Sequence, residues 1–311
     1  MASKLRKFWN ILIDAGLEFV DDNASKLSAS LAYYTLFSIG PLLLVIITLL
    51  GFFYSRAHIT TEIFDHMRNI VGTTATSELQ SILENISHQT NKTLLGVIGI
   101  LVFVFGATGI FSEIQGSINY IWSIKAKPKR SWLKYITDRL LSLLLVIGMA
   151  FLLLVTVFIT LLIDIISGRL KPILGNADTI ILKVVNFGLL FIVVTLVFTI
   201  IFKVLPDARI RWKDALIGAI VTAILFLIGK YIISYYLSFS KSMNLYGAAT
   251  SIILLLSWVY YSSMILYYGA TFTEVYAHRY GKGITVNDNA VHIIKHETTT
   301  LASKRFPAET E

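Results

Sequence analysis

VVNFGLLFIVVTLVFTIIF, residues 184–202, is followed by KVLPDARIRWKD, residues 203–214, and then by ALIGAIVTAILFLIGKYIISYYL, residues 215–237. The first run is 19 residues without a charge, and the last holds a single lysine, Lys230. About 20 apolar residues in a helix span the roughly 30 Å of bilayer hydrocarbon. Backbone amides left unpaired in lipid cost several kcal/mol each, so such runs must be helical. Working outward, four more stretches have the same character: 36–54, 94–111, 140–163 and 248–268. None shows the period-2 alternation of a membrane barrel. The reading is an all-α, polytopic membrane protein with six transmembrane helices in one domain, residues 1–280, followed by a loose polar tail, 281–311.

Composition agrees. Of 311 residues, 55% are hydrophobic and 15% charged, against about 25% charged in a soluble domain. The charges gather between the runs. Of 27 Lys and Arg, 19 fall in the amino-terminal region, the second and fourth loops and the tail, while 7 fall in the other three loops. By the positive-inside rule this puts both termini in the cytoplasm. The formal charge of +8 then orients the chain and meets anionic lipid headgroups, so membrane lipids rather than nucleic acid are the expected partners. With no cysteine there is no disulfide or thiolate chemistry.

Residues Lys4 to Val20 form an amphipathic pattern, with Leu5, Phe8, Trp9, Leu12, Gly16 and Phe19 on one face. Such a helix lies in the membrane interface. Asp22 and Asn23 offer caps for a second helix that runs to Pro41, where a kink or break is expected. The first external loop, 55–93, repeats apolar residues at helical spacing from Ile59 to Ile70 and from Leu79 to Ile86, the pattern of two short helices.

Four stretches carry a family likeness: Ser30-Leu-Ala-Tyr-Tyr-Thr-Leu-Phe-Ser-Ile-Gly-Pro41; Gly106-Ala-Thr-Gly-Ile-Phe-Ser112 with Asn119-Tyr-Ile-Trp122; Leu205-Pro-Asp-Ala-Arg-Ile-Arg-Trp212; and Tyr246-Gly-Ala-Ala249 with Trp258. In that order they resemble the YihY/BrkB-like family of bacterial inner-membrane proteins over roughly residues 5 to 280. The family was once labelled ribonuclease BN and is now described as a transporter of unsettled substrate. The resemblance implies an inner-membrane location and a transport role.

Candidate functional residues follow from polarity inside apolar helices. Gly99, Gly106, Gly109 and Gly116 share one face of the second helix, a spacing that lets helix backbones approach closely. Glu113, near Gln115 and Asn119, is either an exposed interfacial group or the polar floor of a cavity. Ser257 and Tyr261 fall in mid-segment, where they line a cavity or bond between helices. Lys230 lies about 22 Å along the fifth helix at 1.5 Å per residue. It either snorkels to the outer headgroups or faces a wet interior with Ser234, within reach of Asp164.

His292 and His296 are too few for a metal site, and no metal or cofactor is expected. P-loop, HExxH and GxSxG motifs are absent, which leaves no ATP-driven pump within the chain. The leading function is a transporter or translocator of a lipid or another amphiphilic or anionic substrate. The alternative is an envelope scaffold with a protein partner or a homo-oligomer. A ribonuclease ranks last, because the cytoplasmic loops offer Glu113, Asp138, Asp207 and Asp214 but no histidine before the tail.

Overall fold

The computed structural model describes residues 2–50, 109–127, 177–242, 249–287 and 290–293. In chain order these form α1 (Ala2–Asp21), α2 (Ala24–Leu50), α3 (109–121), β1 (Ile124–Ala126), α4 (Ala177–Val204), β2 (Ala208–Arg209), α5 (Trp212–Ser242), α6 (Ala249–Tyr280), β3 (Thr285–Val286) and β4 (Ala290–His292). Helix takes 81% of the described residues, as the apolar runs require. Two stretches, Phe187–Val204 and Trp212–Ile233, are long and apolar enough to cross a membrane. The expected span 36–54 falls inside α2 as far as Leu50, while 94–111 and 140–163 lie largely or wholly outside the described residues, as do the loop 55–93, Gly99, Gly106 and Asp164.

α6 is the hub, packing against α5, α2 and α1, while α4 packs mainly against α5 and also touches α6. The α5–α6 contact is reciprocal. A Cβ on Gly218 would lie 1.8 Å from Thr273 Oγ1, and one on Gly269 would lie 1.9 Å from Thr222 Oγ1. Each threonine donates its hydroxyl proton four residues back along its own helix, Thr222 to Gly218 O at 2.8 Å and Thr273 to Gly269 O at 2.6 Å. The polar atom is thus satisfied locally, and the side chain is free to seat on the opposing glycine. Further along, Tyr261 and Ile265 close over Gly229. The close-packing glycines therefore sit on α5 and α6. The expected stripe on α3 does not serve this way where it is described: nothing lies within 4 Å of a Cβ placed on Gly109 or Gly116.

Three further expectations change. Of the kink or break expected at Pro41 the break is absent: α2 continues as helix to Leu50, since a proline costs a helix one donor and a local clash and need not end it. Asn23 does not cap α2 with its side chain. It takes a left-handed backbone conformation (φ 53°) between α1 and α2, and its carbonyl accepts from Lys26 N at 2.8 Å. Asparagine tolerates that conformation better than most residues. Part of the expected loose tail is strand: β3 pairs with β2 and β4 pairs with β1, both antiparallel. Gly283, with φ 75°, makes the turn from α6 that this return requires.

α1 presents two apolar flanks. Ile11, Ala15 and Phe19 are buried, with Phe8 edge-on to Phe272, while Trp9, Ile13, Leu17 and Val20 are exposed. The apolar arc is wider than one face, and α6 covers only one side of it. Of the residues expected on one apolar face, two divide: Phe8 meets α6 while Trp9 is 64% exposed.

Gly218→Ala and Gly269→Ala should each destabilise the protein by about 1–3 kcal/mol, because the opposing threonine must move. Gly116→Ala should stabilise by about 0.5–1 kcal/mol through helix propensity alone. Thermal unfolding of the detergent-solubilised variants reads both; a Gly218→Ala protein as stable as the parent would refute the close contact.

Candidate functional site

Asp207 sits in the turn between α4 and α5, where Pro206 and the preceding Leu205 end the helix. It is buried, and its carboxylate needs donors. Two come from α3: Asn119 Nδ2 donates to Asp207 Oδ2 at 3.0 Å and Gln115 Nε2 donates to the same oxygen at 3.3 Å. The Asn119 amide also works in reverse, its Oδ1 accepting from the Asp207 backbone N–H at 2.9 Å. From the other side, Asn287 N–H donates to Asp207 O at 3.1 Å. One residue thus joins α3, the α4–α5 turn and the segment after α6.

Neighbouring bonds fasten the same end of the bundle. The buried Trp122 indole donates to Ala270 O at 3.0 Å, tying α3 to α6. Lys203 Nζ donates to Ile210 O and lies 5.7 Å over the Trp212 ring. Arg209 Nε donates to Asn287 Oδ1 at 3.3 Å. Tyr268 donates to Leu12 O at 2.9 Å, and Arg279 pairs with Asp14 at 2.6 Å, which secure α1. The Arg279–Asp14 pair is partly exposed and contributes little, roughly 0–1 kcal/mol. Lys125, Lys127, Arg209, Arg211, Lys213, Arg279 and Lys282 are exposed here, so this is the basic end of the bundle.

Inward from that end lie further polar groups: Ser117 of α3, Thr195 and Thr199 of α4, and Ser263, Thr271 and Glu274 of α6, all buried. The four hydroxyls of α4 and α6 bond back to their own helices. The fully buried Tyr267 has Ser117 beside its hydroxyl and Glu113 nearby. Asp214, in the first turn of α5, is 4% exposed and has one carboxylate oxygen without a hydrogen-bond partner, packed toward Gly281 and Ala277. Among the described residues no group of three His, Asp or Glu side chains is arranged to hold a metal ion.

The residues singled out from sequence separate into groups. Gln115 and Asn119 are buried as expected, but as donors to Asp207 rather than as the lining of an open floor. Glu113 is half-buried on the opposite side of α3. Ser257 bonds to Ile253 O in its own helix, and Tyr261 packs on Gly229, so neither bridges helices by a hydrogen bond shown here. Lys230 is exposed, as are its neighbours Tyr231 and Ile232, and Asp164, its expected partner, lies outside the described residues. The side chain of Ser234 lies outside the described residues. Sequence reasoning missed Glu274, Thr222 and Thr273, whose signal was a Gly-x-x-x-Thr repeat on both α5 and α6. It also quoted Asp207 and Asn119 in separate motifs without joining them.

The sequence profile of a family described as virulence factor BrkB matches residues 16–293. The chain is 30% identical over 266 residues to a UPF0761 membrane protein of Saccharophagus degradans, covering 84% of this chain and 58% of that protein. It is 28% identical to a UPF0761 membrane protein of Pseudoalteromonas atlantica, covering 82% and 81%. It is also 27% identical to a Bacillus subtilis protein named as ribonuclease-like, YfkH, covering 78% and 86%. The chain thus spans little more than half of the first relative and most of the other two. No solved structure matches it.

Asn119→Ala removes a donor to a buried carboxylate and the acceptor for a buried amide together. It should cost about 1–3 kcal/mol or more, whereas Asp14→Ala should cost less than about 1 kcal/mol. Unfolding midpoints of the two purified variants, compared with the parent, check the ranking; equal losses would mean that Asp207 has no special weight.

Proposed function

The chain belongs to the BrkB family of bacterial membrane proteins, and from that premise we propose that it is a transporter or translocator of an amphiphilic or anionic substrate. In this reading six helices span the bacterial inner membrane with both termini in the cytoplasm, and the basic end of the bundle is the cytoplasmic end. No covalent chemistry and no ATP hydrolysis take place in this chain. α1 lies in the inner interface with Trp9, Ile13, Leu17 and Val20 among lipid chains. Trp212, Tyr120 and Tyr280, exposed at the same level, form an aromatic belt beneath the basic side chains.

The observation that carries the reading is the set of ionisable and hydroxyl groups buried between helices that are apolar outside. Glu274, Asp214, Tyr267 and Ser117 lie between α3, α5 and α6, and Asp214 keeps an unused carboxylate oxygen. Inside a membrane-embedded bundle such groups are expensive, and they mark the paths of ions and substrates. Basic side chains at the entrance attract anionic headgroups. The ribonuclease-like name of one relative belongs to that relative.

Orientation and transport are separately measurable. In the cysteine-free chain, single cysteines replacing Lys127 and Lys213 should be shielded from an impermeant thiol reagent in intact cells, and one replacing Ser242 should label; the reverse pattern refutes the orientation. In proteoliposomes holding a fluorescent anionic phospholipid, dithionite should bleach more than the outer leaflet, as it does not in protein-free vesicles. A protein that moves neither this lipid nor small anions, yet purifies with one stoichiometric envelope partner, is a scaffold instead.

A further inference from the structure

The segment after α6 closes the basic end with two short strands and three apolar anchors, Ile284, Val286 and Ala290. β3 contributes two residues and β4 three. Of the strap they form, Ile284 and Ala290 are buried, while Thr285, Val291 and His292 are exposed. Short two-stranded ribbons with water on one side are marginal on their own, and elements with few buried contacts open first. The strap nevertheless bridges two bodies. β4 pairs with β1, at the end of α3, through Ile124 with His292 and Ala126 with Ala290. β3 pairs with β2, in the α4–α5 turn, through Ala208 with Val286.

Between these pairings the strap touches the buried cluster directly. Asn287 donates its N–H to Asp207 O and receives Arg209 Nε on its side chain. At the other end, Ile293 N–H donates to Ser123 O at 2.7 Å. Ser123 holds a left-handed conformation, φ 54°, that a non-glycine residue keeps only when its surroundings hold it there. α3 and the α4–α5 turn are therefore joined twice, inside by Asn119 and Gln115 on Asp207 and outside by the strap.

We propose that β3 and β4 form a latch that opens as one unit at the basic end, and that its opening uncovers the Asp207–Asn119–Gln115 cluster and frees α3 to separate from the α4–α5 turn. The latch regulates the same path that the transport reading assigns, and as a gate it rests on that reading. Its opening as a unit does not. When the strap lifts, Asp207 loses the bond at its carbonyl and Ser123 loses the partner that holds its backbone, and the inner clamp with the apolar packing of Ile118, Ile121 and Trp122 is left to resist separation.

The absence of cysteine makes a lock simple to build. Lys125 and Val291 are paired in register and both exposed, so Lys125→Cys with Val291→Cys places two thiols across β1 and β4 at the separation a disulfide spans. Hydrogen exchange by mass spectrometry on the full chain in nanodiscs then compares the oxidised and reduced forms. Oxidation should slow exchange about tenfold or more in the peptide holding Asp207 as well as in the strap, and reduction should restore both. Slowing confined to the strap, with the Asp207 peptide unchanged, overturns the latch. If the double variant misfolds, Arg209→Cys with Thr285→Cys locks the other ribbon and answers the same question. Lipid or anion flux in proteoliposomes separates the two ideas. Flux that stops on oxidation and returns on reduction supports the gate, and full flux in the oxidised protein overturns it. No flux in either form refutes the transport reading and the gate with it, while the exchange result still decides whether the latch opens as a unit.

Discussion

A threonine seated on a glycine, twice over in opposite directions, sets the distance between α5 and α6. Both contacts, Thr273 on Gly218 and Thr222 on Gly269, leave no room for a Cβ. Because each hydroxyl is already bonded within its own helix, the contact presents apolar surface and backbone without an unpaired donor. That is the form of helix association available where water gives no hydrophobic drive, since close backbone packing has to do the work. The other described helices take their places from this pair: α1 and α2 lean on α6, and α4 on α5.

The polar groups follow the same logic toward the basic end. Around the α4–α5 turn side chains supply partners that backbone groups there lack: Asn119 serves the Asp207 amide and Lys203 the Ile210 carbonyl, while the Trp122 indole donates to Ala270 O within α6. Gln115 and Asn119 are therefore committed groups, while Glu274 and Asp214 are buried outside that cluster. The division separates what holds the end together from what a path through the bundle has to work with.

Much of this was legible in the residue pattern, and its limits are physical. Runs of about 20 apolar residues announce helices by length alone, and the runs at 184–202 and 215–237 fall inside α4 and α5. The family likeness read from four short motifs is borne out by the match over residues 16–293. Rotational setting was harder. A helix apolar all round, such as α5, does not say which strip meets α6, so the setting of Lys230, which is exposed, was open in the sequence. For the same reason a glycine stripe on α3 looked like an interface while the tight contacts formed elsewhere. The pairing of 284–293 was hidden because strands of two and three residues have no periodicity to detect, and their partners lie 76 to 168 positions earlier in the chain.

That separation bears on how the protein is made. β1 and β2 leave the ribosome long before β3 and β4, and domains generally begin to fold as they emerge. Helices α3 to α6 can thus insert and pack while the ribbon partners of β1 and β2 do not yet exist. Asp207 spends that interval with Asn119 and Gln115 as its clamp and without the bond from Asn287. Non-local pairings form slowly because loop closure must come first, so the basic end is sealed after the helices it joins have packed. An interrupted or late-frameshifted chain would then carry a well-packed bundle with an open end, a state that a protease patrolling the membrane surface can tell from the finished molecule.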